Sequence, residues 1–348
     1  MKKIVIVTGS CGLVGSEAVK FFINKNFFVV GIDNNFRKFL FGKDGDTSWK
    51  KKELLLNKNY QHYSLDIRNL KKISDIFSKY SKDIKIIIHS AAQPSHDWAK
   101  DNLLTDFSIN AEGTVNLLNS FLKYVPKATF IQLSTNKVYG DNPNKINLKE
   151  STLRFEPSDI KKYKNGFNEK LSTDHCTHSF FGVSKTYADY LAQEFGKNYN
   201  LKVGVFRAGC ISGPSHSGAK LHGFLSFLVK SCMTKKTYNI IGHKGKQVRD
   251  NIHSLDLLNC FWEFIKKPKN GEVYNIGGGL FSNCSILEAI KYIESVKKIK
   301  IKLNYTSKPR IGDHIWYISD TRKFCRDYPN WKQKYNTKKL LNELLEKY

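Results

Sequence analysis

"KIVIVTGSCGLVGSE", residues 3–17, decides the fold. Its first half is a run of β-branched apolar residues with no polar alternation, the pattern of a strand buried on both faces. Its second half opens "SEAVKFFINKN" (16–26), where the apolar period lengthens to that of a helix. Gly9, Gly12 and Gly15 lie between the two. Gly9 permits a tight turn, Gly12 allows close backbone approach by a ligand, and Gly15 lets helix pack on strand. The next β-rich run, "FFVVGID" (27–33), ends in Asp33.

Further runs repeat the pattern: "YQHYSLDI" (60–67), "KIIIHSAA" (85–92), "ATFIQLST" (128–135) and "LKVGVFRAG" (201–209). Helical stretches separate them, notably 110–125 and 184–199. Strands alternating with helices predict an α/β fold, a doubly wound parallel sheet with helices on both faces. After about residue 212 the alternation breaks. The expected division is a dinucleotide-binding domain over 1–212, with 250–277 returning to it, and a smaller C-terminal substrate lobe over 213–348.

A strand, a glycine turn, a helix and then an acid at the next strand end together predict a dinucleotide site. Free N–H groups at the helix start suit a pyrophosphate. Asp33 accepts hydrogen bonds from ribose hydroxyls and repels a 2′-phosphate, so NAD is expected over NADP, although nearby Arg37 weighs the other way. Asp66 is either an adenine contact or a loop cap. Cys11 is either a thiolate favoured by the helix start or a small filler.

Composition narrows the class. The 348 residues are 41% hydrophobic and 13% aromatic, enough for a substantial core. No apolar run approaches the roughly 20 residues of a membrane span. The N-terminal apolar run ends in a glycine turn rather than a cleavage site, so a first strand is expected and not a signal peptide. Seven dispersed cysteines without paired spacing suggest free thiols in a cytoplasmic protein and no metal site. The net charge of +26 is spread along the whole chain, which favours solvated lysine faces over a nucleic-acid or membrane surface.

The G-x-x-G-x-x-G spacing, with "HSAAQ" (89–93) and Asn110 after it, resembles the extended short-chain dehydrogenase/reductase family, whose members act mostly on nucleotide-linked sugars. "STNKVYGD" (134–141), "NGFNE" (165–169), "GKQVRD" (245–250) and "YNIGGG" (274–279) resemble its CDP-tyvelose/CDP-paratose 2-epimerase branch. The resemblance implies a homodimer. It also implies cofactor contacts from Gly9, Cys11, Gly12, Leu13, Val14, Gly15, Asp33, Asn34, Asp66, Ile67, Ala91, Gln93, Asn110 and Lys185. Substrate contacts are implied for Gln93, Asn136, Arg249 and Arg310, the two arginines clamping a pyrophosphate. His96 and Asp97 border the same region, and His222 begins an apolar helix, where it either points at the sugar or serves as a packing or capping residue.

By the same resemblance Thr135 holds the sugar hydroxyl being oxidised and Lys185 binds the nicotinamide ribose. Sugar-dehydrating members usually carry an Asp–Glu pair after the strand hydroxyl; Asn136 and Lys137 stand there. The tyrosine base of the family is replaced by Phe181, in "HSFFGVSK" (178–185). Tyr187 lies about 240° round the helix from it and faces away; Tyr190 is too far along. Three accounts stay open. Another base serves (Cys176, His178, Tyr163 or a water on Thr135), catalysis is weak, or the chain is a silent NAD- and nucleotide-sugar-binding protein. The expected function is an NAD-dependent epimerase of a nucleotide-linked sugar, most like a CDP-sugar 2-epimerase. A 4-epimerase or another oxidoreductase is the alternative enzyme.

Overall fold

The computed structural model describes residues 2–216, 223–310 and 312–347. Seven parallel strands form the central sheet: β1 (Ile4–Thr8), β2 (Phe28–Ile32), β3 (Tyr60–Tyr63), β4 (Ile84–His89), β5 (Thr129–Thr135), β6 (Val203–Ala208) and β7 (Asn270–Ile276). Their spatial order is β7-β6-β5-β4-β1-β2-β3. The order reverses between β1 and β4, and a crevice opens at the carboxyl ends of strands on either side of such a reversal.

Side-chain alternation assigns the two faces. Val5 and Val7 of β1 point into one core with Val29, Ile86, Ile88 and Ile131. Ile4 and Ile6 point into the other with Val30, Ile84, Ile87 and Phe130. Because both faces are covered, the strands carry no polar alternation. Helix α1 (Leu13–Ile23) packs on the first face beside helix α4 (Ser254–Lys266), and Phe324, Tyr328 and Trp331 join them. Helices α2 (Gly113–Tyr124) and α3 (Phe180–Asn198) cover the second face.

Helix α3 begins four residues before the expected 184. Ser179 caps it, its hydroxyl accepting the Gly182 N–H at 3.1 Å, which places Phe181 in the first turn and Lys185 one turn on. The helix expected from residue 110 begins instead with a wide π-type turn, Ser108–Glu112, where the Gly113 N–H reaches the Ser108 carbonyl.

A third core, around Leu225, Leu228, Ile290 and Leu341, builds the smaller lobe. It meets the sheet through strand Val248–His253, which pairs with Cys210–Ser212 just beyond β6 and with Trp316–Tyr317. That pairing carries Arg249 and the loop before Trp316 over the carboxyl ends of β1, β4 and β5. No helix among the described residues is long and apolar enough to cross a membrane.

Candidate active site

The carboxyl ends of the strands and the smaller lobe enclose one large cleft, with a cavity volume of about 460 Å³. At one end, Gly9 sits at φ +67°, and a Cβ there would stand 2.8 Å from the Ala91 nitrogen. A Cβ on Gly15 would stand 1.9 Å from the Gly9 carbonyl oxygen, so helix and turn touch backbone to backbone. Gly12 begins α1, and no side chain caps its first turn. The uncapped amides face the cleft, the arrangement that holds a phosphate.

Asp33 at the end of β2 accepts the Cys11 N–H at 2.9 Å and the Asn35 N–H at 2.7 Å. Its carboxylate is thereby fixed against the glycine loop. Arg37 also lines the cleft; burial lowers its pKa to about 10, with Asp33 working the other way. Burial first, and then the charge of Asp33, push the Cys11 thiol up to about 12, so it stays a neutral filler. Asp66 lines the cleft, held by Asn34 at 2.9 Å and by a fork of two Arg68 nitrogens at 2.9 and 2.7 Å. Leu13, Val14, Asn34, Ile67 and Ala91 line the same end. An uncapped helix start, a glycine turn too tight for side chains and an acid at the second strand are what an NAD dinucleotide requires.

Two expected contacts lie elsewhere. Gln93 is fully buried; its amide nitrogen donates to the Ser95 carbonyl at 2.9 Å and to Asp106 at 2.6 Å, away from the cleft. Asn110 is buried in the π-type turn and bonds the Gln93 backbone at both N–H and C=O, besides Asp106 and Ser184. These two side chains staple the loop after β4 to α3. Their ligand roles are corrected to structural ones, because every polar atom they would offer is turned into the protein. His222 lies outside the described residues.

At the other end Thr135 closes β5, its hydroxyl accepting the Lys137 N–H at 3.2 Å. Phe181 faces it from α3, and Lys185 follows with its ammonium donating to the Leu133 carbonyl at 2.9 Å. Burial pushes the Lys185 pKa down to about 8, against the pull of Asp189 and Asp106. Asp189, one turn beyond, is locked by two Arg207 nitrogens at 3.0 and 2.8 Å and by Ser134 at 2.5 Å. The i, i+4 spacing of Lys185 and Asp189 was a signal in the sequence; Ser134 and Arg207 carried none.

Asn136 and Lys137 extend this floor. Lys137 donates to the Gly312 carbonyl at 3.0 Å and lies 3.9 Å from Asp313. Burial pushes its pKa down to about 8, opposed by Asp313 and reinforced by Arg249. From the smaller lobe, Arg249 pairs with Asp313 at 2.5 Å, and Arg310 pairs with Asp97 at 3.5 Å. Burial alone would raise the Asp313 carboxyl, but Arg249 and Lys137 hold it well below the usual range. Both arginines line the cleft.

The replacement bases suggested by sequence do not line it. The His178 Nε2 lies 2.9 Å from the Val138 carbonyl oxygen, so that nitrogen carries a proton and donates it there. The Cys176 sulfur packs beside His178, and burial raises its pKa. The Tyr163 ring lies tilted against that of Phe167, centroids 5.6 Å apart. Tyr187 and Tyr190 are exposed at 43% and 45% on the outer face of α3. Two imidazoles line the cleft, those of His96 and His216, and it is His96 whose ring centroid lies 4.8 Å from that of Phe181.

Residues 5–277 match the model of the NAD dependent epimerase/dehydratase family. The chain is similar to a CDP-paratose 2-epimerase of Salmonella typhi, 28% identical over 96% of this chain and 95% of that one. Among solved structures it is similar to a Tyr-to-Phe mutant of Bacillus cereus UDP-glucuronic acid 4-epimerase in complex with UDP-4-deoxy-4-fluoro-glucuronic acid and NAD. There the TM-score is 0.80 at 24% identity, covering 99% of this chain and 98% of that one. A dTDP-glucose 4,6-dehydratase of Bacillus anthracis in complex with NAD gives a TM-score of 0.77 at 23% identity over 99% and 96% of the two chains.

Proposed function

Since this chain belongs to the NAD-dependent epimerase/dehydratase family, we propose that it is an NAD-dependent epimerase of a nucleotide-linked sugar, acting at C2 of a CDP-linked hexose. The observation that carries this is the cleft floor. Thr135 and Lys185 face one space, and the two positions after Thr135 hold an amide and an amine instead of a carboxylic acid pair. A floor without that acid pair suits oxidation and re-reduction of one carbon better than loss of water from two. The similarity to a CDP-paratose 2-epimerase over nearly the whole of both chains supports the nucleotide and the carbon.

Gly9, Gly12, Gly15, Asp33 and Lys185 would hold the cofactor; bound there, NAD supplies a reversible hydride acceptor. Thr135 orients the sugar hydroxyl. The Lys185 ammonium, buried where water screens it little, stabilises negative charge developing on the sugar oxygen. Arg249 and Arg310 hold the pyrophosphate, and to do so Arg249 exchanges its Asp313 partner for phosphate oxygens. Inversion requires the keto sugar to present its other face before re-reduction, so the lobe must grip the nucleotide firmly and the sugar loosely.

Phe181 favours a second reading, a protein that binds NAD and nucleotide sugar without turnover. Incubating the purified protein with CDP-hexoses separates the two: epimer formation without added reductant supports the enzyme, and binding alone supports the silent protein. We also infer a homodimer through the outer face of α3, where Val183, Tyr187 and Tyr190 stand exposed beside Phe107. Light scattering should give twice the chain mass, falling to one chain mass in Val183→Asp.

A further inference from the structure

Phe181 leaves the proposed reaction without the hydroxyl-bearing side chain that family resemblance puts there, and the cleft supplies a different group at the same place. His96 starts the short helix His96–Asp101 after β4, and its ring lies against Phe181 at 57°. Its Nδ1 is 2.7 Å from the hydroxyl of Ser179, the residue that caps α3. From the smaller lobe Gly312, at φ +75°, closes on the pair; a Cβ there would lie 3.2 Å from the Ser179 Cβ and 3.5 Å from the His96 Nδ1. The imidazole is thus held on one side by the helix that carries Phe181 and Lys185, and on another by the loop that carries Arg310 and Asp313. Charged neighbours are Asp97 on its own helix, paired with Arg310, and Lys137, tied to the Gly312 carbonyl.

Among the other titratable side chains in the cleft, Lys137 and Lys185 donate to the Gly312 and Leu133 carbonyls, and the buried His216 has its Nδ1 3.2 Å from the Ser226 hydroxyl. Cys11, Asp33 and Asp66 lie at the dinucleotide end. Burial lifts the thiol of Cys210 to about 11 and the phenol of Tyr238 to about 12. Asp313 is engaged with Arg249. Histidine is the side chain whose ordinary pKa suits proton exchange near neutrality.

We propose that His96 is the base of the reaction, standing in for the hydroxyl that Phe181 lacks, with Ser179 as the residue that positions it. The assignment rests on the epimerase reading above. In the tautomer protonated on Nδ1, that N–H donates to the Ser179 oxygen and Nε2 carries the lone pair. The sugar O–H bond breaks and its proton goes to Nε2. The freed pair closes the C=O bond, and NAD, held by Gly9, Gly12, Gly15, Asp33 and Lys185, would supply the acceptor for the hydride that leaves that carbon. Re-reduction reverses each transfer on the other face, so a full cycle gains and loses no proton or electron.

The test uses the NAD-loaded protein and CDP-hexoses. His96→Gln should lower kcat about 10²–10⁴-fold, with KM and NAD content nearly unchanged. His96→Gln combined with Phe181→Tyr should recover at least about tenfold of that loss, since a phenol returns to the cleft. On wild type, diethylpyrocarbonate labelling of His96, read by peptide mass, should be blocked by CDP-hexose, and the loss of turnover should track the labelling. Turnover by His96→Gln within about threefold of wild type, or full turnover after complete labelling of His96, overturns the assignment and leaves the epimerase reading standing. Wild-type protein that turns over no CDP-hexose overturns the epimerase reading, and the assignment with it.

Discussion

The two ends of the cleft are built by opposite strategies. At the dinucleotide end the work is done by backbone: a glycine at φ +67°, a helix start without a side-chain cap, and two N–H groups that fix Asp33. At the Thr135 end it is done by side chains from distant segments: Lys185 and Phe181 from α3, His96 from the loop after β4, Lys137 from the loop after β5, and Asp313 from the smaller lobe. Backbone sites tolerate no change in their glycines. Side-chain sites can exchange one functional group for another while the frame stands. A chain can therefore keep its whole cofactor apparatus and lose a tyrosine.

The largest expected effect lies at the backbone end. Gly15→Val forces carbon into the Gly9 carbonyl, and overpacking of about 3 kcal/mol should weaken NAD retention about a hundredfold or more. Nicotinamide released on denaturation measures it; an NAD-replete Gly15→Val protein would break the contrast. Lys185→Met should lower kcat about 10²–10³-fold and loosen NAD less than Gly15→Val does, since the glycine loop and Asp33 still hold the dinucleotide. It should also alter the pH dependence of stability. Burial holds the folded-state pKa of Lys185 at about 8 against the ordinary 10.5, so the unfolded chain holds more protons between these values. Wild type should therefore gain stability relative to Lys185→Met as pH rises from about 8 towards 10.5, by roughly 3 kcal/mol at most. Urea titrations of both proteins across that window check the sign.

Smaller effects follow. Asp33→Arg removes the charge that repels a 2′-phosphate and should move the NAD/NADP affinity ratio about tenfold or more towards NADP, as read by calorimetry. Phe181→Tyr should change kcat by less than about tenfold, because the base is elsewhere. A rise of about a hundredfold or more would mean that the cleft lacks a working base.

The sheet was legible in the sequence because its evidence is local. Unbroken β-branched runs gave strands buried on both faces, and the glycine turn lay in one stretch of chain. NAD was legible for the same reason. The start of α3 was placed four residues late because Phe180 and Phe181 interrupt no period; only the Ser179 hydroxyl accepting the Gly182 N–H marks the boundary. Family resemblance implies ligand contacts for Gln93 and Asn110, but resemblance does not fix side-chain direction, and both turn inward. In the sequence His96 reads only as a residue bordering the site. Its partners Phe181 and Ser179 are more than eighty residues away, and no periodicity reports such a pairing. The same holds for Arg249 and Asp313, brought together by the strand pairing of the smaller lobe.

The central claim is that this chain catalyses epimerisation with Phe181 in place. Its most direct test is a CDP-hexose carrying deuterium at C2, incubated with the purified protein and no added reductant. The account predicts conversion to the C2 epimer with the label retained on the inverted carbon, because the hydrogen that leaves that carbon is the one that returns. Tight binding of the CDP-hexose with no epimer formed, or label retained at C2 while C4 inverts, would contradict it.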